Sequence, residues 1–291
     1  MSMKIPGKEI AEQLQDELKL EVSKLSKKGK KLKLVDIVVG DAPDQVSFVK
    51  IKEKMARKLG IGFEFVEIKN TPSFEDFAHT LKQYSADPTV TGIIVQQPLP
   101  FQLQTDSLYN FIHFDKEIEG HKEKSDFSYP LGLAVLTTLK YIFKGATVTP
   151  HLFVELDKDA EFFRKHLRNK KIVILGRGTT AGKPIGQVFN SLRLDYICIT
   201  SQTFDPDQYI KTADIIITAV GKKVIQPEML KPGVILLNVG VRTENEKLKG
   251  DYDENEIKNI ASFYTSTPGG IGPIDVSYLY KNLIDAAKLS H

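Results

Sequence analysis

The sequence predicts an α/β protein of two domains, each built on a mostly parallel sheet with helices on its faces. Helical and strand patterns alternate between residues 8 and 95, and they alternate again between residues 170 and 241. The second series opens with an apolar strand that runs directly into a glycine-rich loop. A length of 291 residues is enough for two domains with a sizeable core.

The first series consists of strands and helices in alternation. Apolar residues recur at helical spacing from Ile10 to Leu25, and Gly29 ends that pattern. Short β-branched or alternating segments between the helices indicate strands. The predicted strands span 34–39, 62–68 and 90–95, and the predicted helices span 8–26, 43–59 and 73–84. This order predicts a mostly parallel sheet.

The pattern weakens between residues 101 and 160 and then resumes. Residues 115–130 are polar and rich in turn formers, which is typical of a long loop near a site, and 131–143 are expected to be helical. A second, Rossmann-like series follows. Its predicted strands span 171–176, 196–200, 213–220 and 233–239, and its predicted helix spans 183–192. From Asp275 onward the pattern predicts an amphipathic helix.

Composition and charge limit the classes of protein. The formal net charge is +3, from 40 basic and 37 acidic residues, whereas nucleic-acid binders usually carry a stronger, clustered basic excess. No apolar run approaches the ~20 residues that span a bilayer, and residues 1–22 lack the apolar stretch of a signal peptide. We therefore expect a cytoplasmic protein that binds neither nucleic acid nor membrane. The lysine-rich run at 27–33 indicates a solvated turn or an electrostatic attraction for an acidic ligand.

Cysteine and histidine give no sign of a disulfide or a metal site. Cys198 is the only cysteine, which excludes an intramolecular disulfide, and its place in the apolar run YICIT predicts a buried strand residue. The six histidines lack ligand spacing such as HxxxH. No bound metal is expected.

The segment KIVILGRGTTAGKP at 171–184 combines a strand, a glycine-rich loop and the start of a helix. In this context Gly176-x-Gly178-x-x-Ala181 is typical of a dinucleotide fingerprint. Glycines let the backbone approach a phosphate, and the helix N-terminus offers free N–H groups and a positive dipole end. The alternative is a tight strand-to-helix turn without a ligand.

Two features of this segment favour NADP over NAD. An NAD site usually has an acidic residue at the end of the second strand, but here that strand ends in TSQT at 200–203. Arg177 lies in the loop, and its forked guanidinium suits a 2′-phosphate.

Four segments together resemble one enzyme family. They are VGDAPDQVSFVKIKEKMARKLG at 39–60, GIIVQQPLP at 92–100, GRGTTAGKP at 176–184 and PGGIGP at 268–273. In this order and spacing, over nearly the whole chain, they resemble the bifunctional methylenetetrahydrofolate dehydrogenase/methenyltetrahydrofolate cyclohydrolases. The resemblance implies NADP-dependent oxidation of 5,10-methylenetetrahydrofolate to 5,10-methenyltetrahydrofolate, and hydrolysis of that product to 10-formyltetrahydrofolate.

The resemblance also implies the domain organisation. An N-terminal α/β substrate domain would comprise residues 1–146 and 275–291, and a Rossmann-like NADP-binding domain would comprise 147–274, with a cleft between them. A homodimer formed through the Rossmann domains is expected. So is a role in the one-carbon metabolism that serves purine biosynthesis.

The family motifs assign functional residues to this chain. Lys52 matches the catalytic lysine of a Tyr-x-x-x-Lys motif, Gln96 matches its glutamine partner, and Glu119 matches the acid that binds the donor edge of the pterin ring. A desolvated lysine can exchange protons near neutral pH, as the hydrolysis requires. The other substrate-binding candidates are Phe48, Val95, Gln97, Pro268, Gly269, Gly270, Ile271 and Gly272. The cofactor-binding candidates are Gly176, Arg177, Gly178, Gly182, Ser201, Val220, Gly221 and Val241.

Each assignment has an ordinary alternative. Lys52 lies among other lysines of one predicted helix, and taken alone it would belong to a solvated helix face. Gln96 could be a loop amide that the backbone satisfies, and Glu119 in its polar loop would normally be solvated. Gly269 and Gly270 could simply permit a turn.

The chain departs from the family pattern at several expected contacts. Phe48 replaces a tyrosine and lacks its hydroxyl, and Glu119 replaces an aspartate and shifts the carboxylate by one methylene. Gly178, Gln202 and Asn238 stand where the family has serine, a basic residue and aspartate. HKEKSDFSYPLG follows the acid, where a His-Pro-x-Asn stretch is usual.

Four functions are therefore compared. The first is the bifunctional enzyme, and the second is a dehydrogenase with weak or lost cyclohydrolase activity, which Phe48 and Glu119 suggest. The third is a folate- or nucleotide-binding protein with little catalysis, which the retained Lys52 and Gln96 disfavour. The fourth is an NADP enzyme for another substrate, such as a shikimate-type dehydrogenase, which VQQPLP and PGGIGP disfavour.

Overall fold

The computed structural model describes residues 2–289, with the side chains of these residues except at positions 43 and 44. The chain divides into two compact units. One, here called the six-stranded unit, combines the residues up to Leu14 with Leu131–Asp275. The other, the three-stranded unit, combines Gln15–Pro130 with the residues from Val276 onward. The expected domain division at residues 147 and 275 differs in extent from these units and stays a prediction.

Helices and strands alternate along most of the chain. The helices are α1 (Gly7–Lys27), α2 (Pro43–Leu59), α3 (Phe74–Ala86), α4 (Pro130–Phe143), α5 (Leu156–Leu167), α6 (Gly182–Ser191), α7 (Pro206–Thr212), α8 (Glu254–Ile257) and α9 (Ile271–Leu289). The strands are β1 (Met3–Lys4), β2 (Lys33–Val39), β3 (Gly62–Ile68), β4 (Gly92–Val95), β5 (Ile172–Leu175), β6 (Ile197–Ile199), β7 (Ile215–Thr218), β8 (Ile235–Asn238), β9 (Arg242–Glu244), β10 (Lys247–Lys249) and β11 (Phe263–Tyr264). Among the helices within residues 2–289, none has both the length and the apolar composition that crossing a bilayer requires.

The three-stranded unit contains a parallel sheet in the order β3-β2-β4. The central strand β2 pairs with β3 along its whole length, and its residues 34–39 are all buried. Val35 and Ile37 pack with Phe77 of α3 in the core of this unit. Because side chains alternate along a strand, Asp36 faces the opposite side of the sheet. The parallel sheet predicted for the first series is confirmed.

The six-stranded unit contains a parallel sheet in the order β1-β11-β8-β7-β5-β6. Apolar residues of β5, β7 and β8 pack with Ile210 of α7 and Ile257 of α8 in its core. The chain leaves β5 toward β6 on one side and later returns to β7 on the other side. This reversal makes the doubly wound pattern that the sequence predicts, with its switch point at β5 and β7.

Several elements differ from the sequence expectation. α5 has no counterpart among the predicted helices, and only Phe163 and Leu167 of its residues are buried. β1 and β11 hold two residues each, too few for a periodic pattern. α9 begins at Ile271, before the predicted start at Asp275. Pro273 permits the earlier start, because the N–H groups of a first helical turn have no helical partner.

The solvent exposure of Cys198 and of the lysine-rich run at 27–33 bears on two local predictions. Cys198 lies on β6 as predicted, but it is half-buried and not fully buried, because β6 is at the edge of its sheet. In the lysine-rich run, Lys28 and Lys31 are exposed, while Lys33 pairs with Glu64 at 2.6 Å. This agrees with a solvated turn, and the attraction for an acidic ligand stays a prediction.

Two glycines shape the turn between β5 and α6. Gly176 has a φ of 100°, which L side chains rarely adopt. A Cβ on Gly182 would lie 2.0 Å from the Gly176 carbonyl oxygen, whereas a Cβ on Gly178 would have nothing within 4 Å. Close backbone approach therefore requires glycine at 176 and 182 but not at 178.

We expect Gly182→Ala to lower the free energy of unfolding by about 1–3 kcal/mol, because the added methyl group overlaps backbone that cannot withdraw. Gly178→Ala is the matched control in the same loop and should stay within about 0.5 kcal/mol of the wild type. Urea denaturation followed by circular dichroism measures both. Equal stabilities of the two variants would contradict the close packing of this turn.

Candidate active site

Lys52 lies on the buried side of α2. Val49, Lys52, Ala56 and Leu59 follow one another at helical spacing and are all buried. Lys52 is only 8% exposed, whereas Lys54 on the same helix is exposed. A solvated helix face therefore does not describe Lys52. The apolar residues at helical spacing on both sides of it are the sequence signal for its burial.

The Lys52 ammonium has two acceptors at close range. Its Nζ donates to Gln96 Oε1 at 2.6 Å and contacts Asp36 Oδ2 at 2.7 Å. Gln96 directly follows β4, and its Nε2 donates to the Gln97 carbonyl at 2.9 Å, which turns Oε1 toward Lys52. The Tyr280 hydroxyl, from α9, donates to the Lys52 carbonyl at 2.7 Å. The fold thus brings the predicted pair of Lys52 and Gln96 into direct contact.

Asp36 is a member of this site that the motifs did not indicate. It is 0% exposed and lies among the apolar residues of β2. Apart from the ion pair with Lys52, neither of its carboxylate oxygens has a hydrogen-bond partner among residues 2–289. Burial raises the pKa of Asp36, and the positive charge of Lys52 opposes that rise. A lone acid inside the apolar segment LVDIVV is the sequence signal that could have found it.

Glu119 lies on a segment that runs along β4, and its carboxylate interacts with the charges of Lys52 and Asp36. The Ile93 N–H donates to the Lys116 carbonyl at 2.8 Å, and Ile93 forms a parallel bridge with Glu117. Further along, the Val95 N–H lies close enough to the Glu119 carboxylate to lower its pKa. β4 is the edge strand of its sheet, so its outward N–H groups are free to hold this segment. The free edge of β4 therefore positions Glu119.

The environment of Glu119 changes its protonation. The side chain is 24% exposed, and burial raises the pKa of Glu119 to about 7. Lys52 lowers this pKa, and Asp36 raises it by repulsion between the two carboxylates. Glu119 therefore exchanges a proton near neutral pH, unlike the solvated glutamate that its polar loop suggested.

A second acid, Glu117, fixes the turn that carries Glu119. Its buried carboxylate accepts the N–H groups of Glu119 and His121 at 2.9 Å each and of Lys122 at 3.3 Å. Gly120 in this turn has a φ of 84°, and a Cβ there would lie 2.8 Å from a backbone oxygen. The motifs did not indicate Glu117, although an acid two positions before Glu119 was visible in KEIEG.

The other substrate-binding candidates of the three-stranded unit differ in environment. Gln97 donates through Nε2 to the Tyr109 hydroxyl at 2.9 Å, and Tyr109 stacks on His121 with ring centroids 4.3 Å apart. Phe48 is 44% exposed on α2. The Val95 side chain is buried in the core and is not available to contact a ligand.

The candidate segment Pro268–Gly272 belongs to the six-stranded unit and turns into α9. Gly269 has a φ of 96°, which supports its role as a turn residue. A Cβ on Gly7 would lie 2.1 Å from the Gly270 carbonyl oxygen, so the backbones of the two glycines are in close contact. The last two residues of the segment already form the first turn of α9.

The cofactor-binding candidates gather at one edge of the six-stranded sheet. Gly176, Arg177 and Gly178 follow β5, Ser201 follows β6, Val220 and Gly221 follow β7, Val241 follows β8, and Gly182 begins α6. Doubly wound sheets bind ligands at this carboxyl edge. Arg177 and Ser201 are exposed, and space is open beside Gly178. With the positive dipole end at the start of α6, these residues fit a dinucleotide phosphate.

Asp251 binds the backbone of the loop that follows β7. Its carboxylate accepts the N–H groups of Val220 and Gly221 at 2.9 Å each. A Cβ on Gly240 would lie 2.3 Å from this carboxylate, so the next loop also closes on it. Burial raises the pKa of Asp251, and the two backbone N–H groups oppose that rise. Asp251 was not predicted as a site residue, and its role is to shape two loops.

Asn238 joins the same loops through its amide. Its Oδ1 accepts the Thr218 hydroxyl at 2.8 Å and the Asp251 N–H at 2.8 Å. Its Nδ2 donates to the Gly240 carbonyl at 2.7 Å and to Thr267 Oγ1 at 2.6 Å. An ionised aspartate has acceptors only and could not make the Nδ2 contacts. The asparagine that departs from the family pattern thus has a structural explanation in this chain.

Comparison with known proteins identifies the family. Residues 5–119 match the catalytic domain of tetrahydrofolate dehydrogenase/cyclohydrolase, and residues 147–291 match its NAD(P)-binding domain. The chain is 35% identical over 286 residues to the bifunctional protein FolD of Geobacillus thermodenitrificans, which covers 98% of this chain and 96% of that relative.

Solved structures agree with this match. The FolD methylenetetrahydrofolate dehydrogenase/cyclohydrolase of Campylobacter jejuni aligns with a TM-score of 0.85 at 26% identity, over 99% of each chain. The Trypanosoma brucei dehydrogenase-cyclohydrolase, solved with NADP cofactor and inhibitor, aligns with a TM-score of 0.78 at 25% identity, over 99% of this chain and 98% of that one. By sequence and by fold, the chain belongs to the tetrahydrofolate dehydrogenase/cyclohydrolase family.

Proposed function

We propose that this protein oxidises 5,10-methylenetetrahydrofolate to 5,10-methenyltetrahydrofolate with NADP, and hydrolyses that product to 10-formyltetrahydrofolate. The observation that carries the proposal is the buried Lys52 ammonium, which contacts Gln96 and Asp36 beside the Glu119 carboxylate. The relatives named as bifunctional enzymes support the same pair of reactions.

The cofactor in this proposal is NADP. When bound, it supplies the hydride acceptor, and the protein contributes binding and orientation. Arg177 is exposed in the glycine-rich loop, where its guanidinium can pair with a 2′-phosphate. No acidic residue follows β6 at 200–203, where an NAD site would carry one. The NADP complex of the Trypanosoma brucei relative supports this choice.

The hydrolysis requires proton transfers that the Lys52 group can serve. Water adds its oxygen to the methenyl carbon, and the bond from that carbon to N5 breaks. One proton of the water passes to N5, and the other is released, which leaves a formyl group on N10. A lysine ammonium has three N–H donors; Gln96 accepts one of them, and Asp36 forms an ion pair with the ammonium. We assign another N–H of Lys52 to the reacting group.

Glu119 is assigned to the pterin ring in the same proposal. In its ionised form the carboxylate accepts hydrogen bonds from N–H donors of the ring. The segment that carries this carboxylate is held along the edge of β4 by the Ile93 N–H, which donates to the Lys116 carbonyl. Because the pKa of Glu119 is about 7, the contact with the ring depends on pH.

One specific observation favours a second candidate function, a dehydrogenase with weak or lost cyclohydrolase activity. Phe48 is 44% exposed on α2, one helical turn before Lys52, and it has no hydroxyl to donate to the substrate or to the lysine. The dehydrogenase step needs orientation more than proton transfer and would suffer less from this loss.

A homodimer, a cytoplasmic location and a role in purine biosynthesis belong to the same proposal. They follow from the family membership and would be expected of an enzyme of one-carbon metabolism. Analytical ultracentrifugation of the full chain tests the dimer, for which a single species of twice the 32.7 kDa chain mass is expected.

The experiment that tests the function mixes purified protein with methylenetetrahydrofolate and NADP and follows NADPH and methenyl absorbance separately. NADPH formation without a lasting methenyl signal supports the coupled enzyme. NADPH with accumulating methenyl product supports the second candidate. If neither NADP nor NAD is reduced, the dehydrogenase proposal fails and a folate- or nucleotide-binding protein takes its place.

We expect Lys52→Met to reduce cyclohydrolase activity by about 10²- to 10⁴-fold, because the donor at the reacting group is lost. Lys54→Met is the matched control, since Lys54 is exposed on the same helix. It should keep activity within about twofold of the wild type. Hydrolysis of methenyltetrahydrofolate, followed by loss of its absorbance, measures both, and an unaffected Lys52→Met would refute the assignment.

The affinity for a stable tetrahydrofolate analogue should weaken as the pH falls through about 7, the pKa of Glu119. A carboxyl group is ionised above its pKa and protonated below it, so the acceptor is lost on the acid side. Each pH unit below 7 should weaken binding by about tenfold. Glu119→Gln should flatten this curve, whereas Glu67→Gln on exposed β3 should leave it unchanged; titration by fluorescence quenching compares them.

Arg177→Ala should raise the KM for NADP by about 10- to 100-fold, because charge-assisted hydrogen bonds to the 2′-phosphate are lost. The KM for NAD, which lacks this phosphate, should change little. Arg164→Ala removes an exposed arginine of α5 and serves as the control for net charge. An equal rise in the KM for NADP and in the KM for NAD would show that Arg177 does not bind the 2′-phosphate.

A further inference from the structure

We propose that Asp36 is a positioning residue for the reaction at Lys52. Its buried carboxylate holds the Lys52 ammonium in place. The reaction itself rests on the proposed function, whereas the hold of Asp36 on Lys52 rests on the geometry alone.

The geometry leaves Asp36 one partner. Asp36 Oδ2 and Lys52 Nζ are 2.7 Å apart, and their side chains are 0% and 10% exposed. No other group within residues 2–289 makes a hydrogen bond to either carboxylate oxygen of Asp36. An isolated buried carboxylate or ammonium is costly, so each of the two charges stabilises the other. Removing Asp36 leaves Lys52 without a counter-charge on β2.

The pair also restricts where Lys52 can point. Asp36 lies on β2, Gln96 follows β4, and Lys52 comes from α2, so two separate strands hold one ammonium. The Tyr280 hydroxyl fixes the backbone of Lys52 through its carbonyl. With the ammonium held by the Gln96 hydrogen bond and the Asp36 ion pair, and with its backbone held by Tyr280, the orientation of Lys52 toward a substrate is restricted.

The titratable and charged groups that face Asp36 and Glu119 come from several different elements. Asp36 is faced by Lys52 of α2 and by Tyr280 of α9, whose pKa is raised by burial and by the charge of Asp36. The groups that face Glu119 are Lys52, Asp36, the Val95 N–H, His121 at 3.9 Å, Tyr109 and Glu117. Lys52 thus attracts two carboxylates, Asp36 by direct contact and Glu119 through its charge. Burial raises the pKa of both acids.

This arrangement makes Glu119 depend on Asp36. Repulsion from the Asp36 carboxylate raises the pKa of Glu119, and Lys52 lowers it. If Asp36 loses its charge, its repulsion of the Glu119 carboxylate ends. The positive charge of Lys52 then acts on Glu119 without competition from Asp36. Both changes move the titration of Glu119 toward lower pH. A merely structural aspartate would not move it.

The test compares Asp36→Asn with the wild type and with Asp159→Asn in the full-length protein. The control removes the charge of another enclosed pair, in which Lys140 Nζ lies 2.8 Å from Asp159 Oδ2. In Asp36→Asn the pH midpoint of folate-analogue binding should fall by about one pH unit. Turnover near neutral pH should fall by about 10- to 100-fold, because Lys52 is no longer held in place. Asp159→Asn should leave both unchanged.

A second measurement needs no folate chemistry. Acylation of Lys52 by acetic anhydride is followed by mass spectrometry over a pH series, with exposed Lys54 as the internal reference. In Asp36→Asn the reactivity profile of Lys52 should shift so that it reacts about tenfold faster at neutral pH, because the ammonium form has lost its partner. Better access alone would raise the rate equally at every pH. Asp159→Asn should affect Lys140 and not Lys52.

The outcomes separate the two proposals. An unshifted Lys52 profile in Asp36→Asn overturns the inference, and so does lower thermal stability with no shift in either pH curve. If the wild type neither binds nor turns over folate, the proposed function fails, and the acylation profiles still decide the role of Asp36. If Asp36→Asn does not fold, Asp36→Val, a strand former without charge, replaces it with the same expected shifts.

Discussion

The contact between Lys52 and Asp36 is the interaction on which the candidate active site depends. Lys52 lies on the inner stripe of α2, where a lone ammonium would be buried against an apolar strand at high cost. Asp36 supplies the opposite charge from that strand, and Gln96 accepts a second N–H. The protein can therefore keep a charged lysine where water has little access. Burial raises the pKa of Glu119, and the two charges of this contact act on it in opposite directions: Lys52 lowers the pKa and Asp36 raises it.

Both units use buried polar side chains to shape the loops at the ends of their strands. In the three-stranded unit, Glu117 accepts three backbone N–H groups, and the free edge of β4 holds the segment that carries Glu119. In the six-stranded unit, Asp251 and Asn238 do the same for the loops after β7 and β8. A buried polar group without partners is costly, so such networks fix one loop conformation. The candidate ligand sites are built on loops that are rigid for this reason.

The departures from the family pattern have different physical meanings. Asn238 is a structural adjustment, because its amide both donates and accepts within one network. Gly178 leaves open space in the phosphate loop and is not required by packing. Phe48 and Glu119 change the chemistry offered to a substrate, one by loss of a hydroxyl and the other by a longer acid in a fixed position. Only the last two bear on the balance between the two proposed activities.

The sequence by itself determined the parallel α/β architecture, the glycine-rich turn at 176–182 and the family motifs, because these depend on local periodicity and on short-range backbone geometry. It could not determine α5 or the two-residue strands, where few residues are buried. Only the tertiary structure decided that Lys52 is buried and that Asp36 is its partner. These residues lie on two different elements, and no local pattern records which side chain of α2 meets which residue of β2. The protonation of Glu119 likewise depends on charges from several elements, and it exists only once the chain has folded.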